Sequence, residues 1–208
     1  MARLFSIKPS ITLKGRKFRG LRGWTGKPLH PPLTDLPIAA YLFAAAFDLI
    51  SFFGEKAGNA SLGREAFVAA TFVIVAGALA STLAIVTGFW DWVRGLDREK
   101  TGPLGRAKHT QVWRTANWHA VVMVTTTVVV IVDIICRMGD YGSRSTSLAV
   151  VVLSCLAALL VSFGSFYGGS LVFDYQFNVE GLKGSTAYDE TEVDQLPGQK
   201  SLPPPTQT

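Results

Sequence analysis

The sequence predicts an all-α integral membrane protein, a four-transmembrane-helix bundle with both termini cytoplasmic. Three observations carry that expectation. Only 17% of the 208 residues are charged, against about 25% in soluble globular chains, and mean hydropathy is +0.30. Two runs, Ala66–Trp90 and Ser145–Phe173, contain no charge at all, and each is longer than the about 20 apolar residues that cross a bilayer core. Finally, Lys and Arg are partitioned between alternate loops.

The elements follow in chain order. Residues 1–27 form a basic arm. A membrane domain over 28–177 should contain helices at about 34–54, 66–92, 117–137 and 146–173. Asp48 interrupts the first apolar run and Asp133 the third. The third run reads Val-Met-Val-Thr-Thr-Thr-Val-Val-Val-Ile-Val from Val122, which in water would resemble a buried strand. In lipid a lone strand leaves its backbone groups unpaired, so helix overrides the β propensity. Residues 178–208, acidic and then Pro-rich, lack apolar periodicity and read as a flexible extension. No cleavable signal peptide is evident, because the first apolar run begins late, so the first helix is read as a retained anchor. Cys136 and Cys155 are read as small apolar residues within helices rather than a disulfide framework. No sequence repeat stands out.

Charge gives the orientation. Eight Lys and Arg precede Asp35 with no acid among them, and six more lie between Asp91 and Arg114. The alternate loops hold only Lys56, Arg64, Arg137 and Arg144. The positive-inside rule then puts the arm, the middle loop and the tail in the cytoplasm. The arm interleaves bases with aromatics from Lys14 to Trp24, a composition suited to anionic lipid headgroups. Topology already explains its charge, so no nucleic-acid partner is expected.

Helix packing is suggested by small residues: Ala76, Ala80, Ala84 and Gly88 with Gly77 and Ser81 in helix 2, and Gly164-x-x-x-Gly168 in helix 4. Asp133 and Arg137 are spaced for an i,i+4 pair, with Arg137 near the outer rim and able to snorkel. Asp48 is expected to pair with Arg137 or Lys56, the alternative being a proton relay through Asp48 and Asp133.

The proposed topology brings distinctive residues to one membrane face: His30 and Asp35, then Gly88-Phe-Trp-Asp91-Trp92, then Trp118-His119, then Gly168-Gly169 and Asp174. One shared site is expected there. Trp90, Trp92, Trp113, Trp118 and Tyr167 also suit an interfacial aromatic belt.

These same residues carry a resemblance. Pro-Leu-His30-Pro with Leu36-Pro37-Ile38 and Phe47-Asp48-Leu49, then Thr87-Gly88-Phe-Trp-Asp91-Trp92, Trp118-His119-Ala120 and Gly168-Gly169-Ser-Leu-Val-Phe173 resemble, in order, the four helices of a bacterial membrane family known as domain of unknown function 2231. The resemblance covers about residues 27–180 and implies a bacterial cytoplasmic (inner) membrane as the localisation. It implies redox company, since some relatives are fused to Rieske or cytochrome-like domains. The chain departs from the family at Asp35, where a second His is usual, at Met123, where Asn is usual, and at Gln176-Phe177-Asn178.

Three readings of the shared face stay open. His30 and His119, on different helices, could be axial ligands of a b-type haem, with Met123 as an alternative ligand. His30, Asp35, Asp91 and His119 could instead form a hydrogen-bonded polar cluster that satisfies helix ends, with Asp35 accepting from backbone amides. A quinone, ion or metal site is the third, though the spacings match no zinc motif and no metal ligand set is assigned. His109 lies in a basic loop. There is no nucleophile elbow, P-loop or dinucleotide fingerprint, and no catalytic residue is assigned. The function expected first is a non-enzymatic accessory or scaffold subunit of a membrane assembly, with respiratory or redox subunits among its partners. The second is a haem b electron carrier, and the third is proton or small-solute transport.

Overall fold

Two prolines open the first helix where their missing amide hydrogens cost nothing, at the first helical positions. In the computed structural model, which describes residues 21, 28–99 and 110–177, that helix is α1, His30–Lys56. It is followed by α2, Ala60–Glu99, α3, Gln111–Gly139, and α4, Leu148–Phe173. All four are long and apolar enough to cross a membrane, and no strand forms among the described residues. The basic arm apart from Leu21, the loop holding His109 and the tail from residue 178 lie outside the described residues.

The β-like run of α3 is helical throughout. Its three threonines show how: Thr125, Thr126 and Thr127 each donate to the carbonyl four residues back, at 2.9 Å. The hydroxyls are thereby satisfied within the helix and need no strand neighbour. The N-terminus of α3 is fixed by Thr110, whose side chain accepts from the Trp113 amide at 3.1 Å.

The helices form two hairpins, α1–α2 and α3–α4, joined through α1–α4 and α2–α3 contacts. Tyr41, Ala44, Ile74, Val130, Ala157 and Val161 make the central core, and the Tyr41 hydroxyl is 2.6 Å from Ser81 Oγ. Gly77 lets α1 approach α2: a Cβ there would lie 2.6 Å from the Ala40 methyl. The small-residue stripe runs through Gly77, Ser81 and Ala84, whereas Ala76 faces outward. Large side chains such as Leu79, Leu159 and Phe166 point away from the bundle, as lipid-facing residues should.

Candidate functional site

The site begins with a proton assignment. His30 is the first residue of α1, inside the helix rather than ahead of it. Its Nδ1 lies 2.9 Å from the carbonyl of Ala84 on α2. His119, in α3, places its own Nδ1 2.9 Å from the carbonyl of Gly164 on α4. A carbonyl oxygen can only accept, so in each ring Nδ1 carries the hydrogen and the neutral imidazole leaves its lone pair on Nε2. Thr87 Oγ1 is a second, longer neighbour of His30 Nδ1, at 3.4 Å.

The two rings come together across the hairpins, their centroids 6.2 Å apart and their planes at 80°. Glycines make the room. A Cβ on Gly88 would sit 2.5 Å from His30 Cε1, and one on Gly168 would sit 3.2 Å from His119 Cε1. Each ring therefore lies in a notch of the returning helix, four residues past the carbonyl that orients it. Met123 lies against Gly164, next to the same junction.

Other residues expected at this face are placed differently. Asp91 is buried, and its Oδ1 accepts from the Leu21 amide at 3.1 Å. This ties Leu21, whose carbonyl also accepts from the Leu29 amide, to the start of α1. Asp35 is exposed, and the α1 N-terminus has no side-chain cap. Trp92 packs beside Ala116 and Leu171, and its buried Nε1 makes no hydrogen bond among the described residues. A Cβ on Gly169 would meet, among the described residues, the Phe173 ring at 4.0 Å and neither histidine. Trp118 is exposed beside a cavity of about 140 Å³ lined by Trp113, Arg114, Asn117 and Val121 on the side of α3.

The opposite end of the bundle holds a buried ion triad. Arg137 does not snorkel; it is fully buried, as are Asp48 and Asp133. Its guanidinium grips Asp48 with two bonds, Nη1 to Oδ1 at 2.9 Å and Nη2 to Oδ2 at 2.6 Å. Nε donates to Asp133 Oδ1 at 3.1 Å. Asp48 Oδ1 also accepts from the Thr146 hydroxyl at 3.0 Å, and the Thr146 amide donates to Ser51 Oγ at 2.9 Å. Asp133 Oδ2 has no partner among the described residues. Lys56 instead lies over the Phe52 ring.

Sequence reasoning singled out the histidines and glycines but missed what orients them, the carbonyls of Ala84 and Gly164. A backbone acceptor leaves no residue-type signal. Thr146 and Ser51 were missed as well, because a Thr or Ser at a helix end has many ordinary uses.

Among the described residues no group of three or more His, Cys, Asp or Glu could hold a metal ion. The donor set is thus two imidazoles on opposite hairpins. These two histidines, the Thr87–Trp92 segment and Gly168-Gly169 of α4 fall within a match to the DUF2231 family model, described as predicted membrane protein, over residues 26–181. The chain belongs to the DUF2231 family. No curated protein and no solved structure matches it. For this DUF2231 chain the geometry itself must therefore indicate what the site can do.

Proposed function

We propose that the chain is a membrane electron carrier that holds a b-type haem through His30 and His119. The observation that supports this most directly is the pair of rings whose Nδ1 hydrogens are both committed to backbone carbonyls. Metal-binding histidines almost always fix their second nitrogen in this way, which sets the tautomer and the ring orientation. The two rings stand on different hairpins with centroids 6.2 Å apart, close enough that both would serve one bound metal group.

The number of donors favours haem over a bare ion. Zinc sites use three or four protein ligands, and among the described residues this face offers two imidazoles. A porphyrin supplies most of its iron's coordination itself, so His30 and His119 would suffice to hold it. When bound, such a group supplies reversible one-electron chemistry. The protein's part is to hold two neutral imidazoles in fixed tautomers, to exclude bulk from the ring notches with Gly88 and Gly168, and to keep the site at one end of the bundle. A carrier of this kind fits service as a subunit of a larger redox assembly. The basic arm would meet anionic headgroups on the same side of a bacterial inner membrane.

The test is a dithionite-reduced minus oxidised spectrum of the protein purified in mild detergent after expression with ample haem. A shifted Soret band with an α band is expected. His30→Ala and His119→Ala should each abolish or shift those bands. A spectrum without either band in the wild-type protein would refute the proposal.

A further inference from the structure

The two hairpins repeat one another in a way that residue types conceal. His30 and His119 stand 89 residues apart, and the same step of 89 carries Asp48 to Arg137. It also carries Pro37 to Thr126, Tyr41 to Val130 and Ala44 to Asp133, every one of them buried. In the returning helices a second constant step carries Ala70 to Val150, Ile74 to Ser154, Ser81 to Val161 and Asp91 to Leu171, again all buried. The second hairpin simply turns sooner, so the step shortens between its two helices.

A matching burial pattern is weak evidence by itself, since any helix buries positions every three to four residues. What helical periodicity does not dictate is that the same steps also carry the chemistry. The Ala84 carbonyl that accepts from His30 maps onto the Gly164 carbonyl that accepts from His119. Gly88, against the first ring, maps onto Gly168, against the second. A twofold axis along the bundle would exchange the α1–α4 contact with the α3–α2 contact, and both exist. Parallel repeats about an axis along the membrane normal are an established way to build membrane bundles.

We infer that the membrane domain is an internal duplication of one two-helix hairpin about a pseudo-twofold axis, and that the two-histidine site is a single centre on that axis to which both copies give equivalent donors. The second half of this inference rests on the haem reading; the first does not. An on-axis centre selects a ligand with two equivalent faces. A planar metal macrocycle open on both sides is of that class. The same axis explains the far end. Strict repetition would set two like charges face to face there, and the copies have instead diverged into Asp48 and Arg137, which makes the two hairpins complementary rather than identical.

Two measurements on the full-length protein test this. In a background with Cys136→Ser and Cys155→Ala, spin labels on Phe43→Cys with Leu159→Cys and, separately, on Val132→Cys with Leu79→Cys mark symmetry-related pairs of outward-facing positions. Electron–electron double resonance should give the same distance for both pairs. Mean distances that differ by more than one helical turn, about 5.4 Å, would overturn the duplication whether or not haem binds. The second measurement moves the triad to its symmetry-related positions with Ala44→Asp, Asp48→Arg, Asp133→Ala and Arg137→Asp together. That variant should elute as a monodisperse species like the wild type, whereas Asp48→Arg and Arg137→Asp alone should not. If it fails as badly as they do, the copies are not interchangeable at this end. For the shared centre, His30→Ala and His119→Ala should lose the optical band to the same extent. A band that survives one of them and not the other overturns the equivalence of the donors while the label distances still decide the duplication.

Discussion

A histidine becomes a defined ligand or a defined proton donor according to which nitrogen the fold occupies. Here the choice is made twice by a backbone carbonyl, Ala84 for His30 and Gly164 for His119, so both neutral rings keep Nε2 available. The glycines opposite are needed for steric reasons. At Gly88 an added methyl would lie 2.5 Å from Cε1 and 2.8 Å from Nδ1 of His30, closer than atoms approach, and the ring cannot retreat without losing its bond to Ala84. At Gly168 the nearest ring atom would be at 3.2 Å, which a few tenths of an ångström of movement can relieve. Gly88→Ala should therefore abolish the reduced-haem band and lower the unfolding temperature in detergent. Gly168→Ala should retain most of the band. Equal behaviour of the two variants in paired spectra and melting curves would show that ring placement is not set by these notches.

At the scale of helices, the triad ties α1, α3 and the start of α4 together through Arg137, Asp48 and Thr146. A buried ion pair contributes little net stability compared with an apolar replacement, but removing one partner strands the other and costs about 3–5 kcal/mol. The two aspartates are not equal. Asp48 takes both guanidinium arms and a hydroxyl, while Asp133 offers one oxygen and, among the described residues, leaves the other unpartnered. Asp48→Asn should destabilise the protein markedly more than Asp133→Asn, and Arg137→Leu should fall within the cost of a stranded buried charge. Denaturant titration in mixed micelles would measure the order, and a larger loss for Asp133→Asn would contradict it. The same elements show what the sequence could reveal. Charge-free runs and the positions of Asp48 and Asp133 disclosed four helices, because hydrocarbon leaves a backbone few options. The helix ends were less legible. His30 looks like a loop residue before two prolines, yet prolines are welcome in a first turn, and Thr110 is one polar residue among many until its bond to the Trp113 amide is seen. Arg137, near the end of its helix, looked free to reach the rim. Its pair with Asp48 was among the expectations and forms, but its complete burial is a tertiary fact that no local spacing contains.

For the whole molecule, the pseudo-twofold relation makes orientation a single choice. Both hairpins must enter the membrane from the same side, so the histidine end carries the start of α1, the end of α2, the start of α3 and the end of α4 together. In the sequence, eight Lys and Arg precede Asp35 and six more fall between Asp91 and Arg114, the segments next to these helix ends, against Lys56, Arg64, Arg137 and Arg144 in the others, and Arg137 is spent within the bundle. Cytoplasmic loops carry such an excess, so the histidine end should face the cytoplasm. In a cysteine-free background, Ala60→Cys should react with a membrane-impermeant maleimide in intact cells, and Leu104→Cys should react only after lysis. The reverse pattern would turn the molecule over and present the two histidines to the outer face. The distinction matters for the proposed carrier because a centre close to one surface exchanges electrons fastest with partners on that surface. With the predicted orientation, those partners are cytoplasmic or lie at the inner leaflet beside the basic arm.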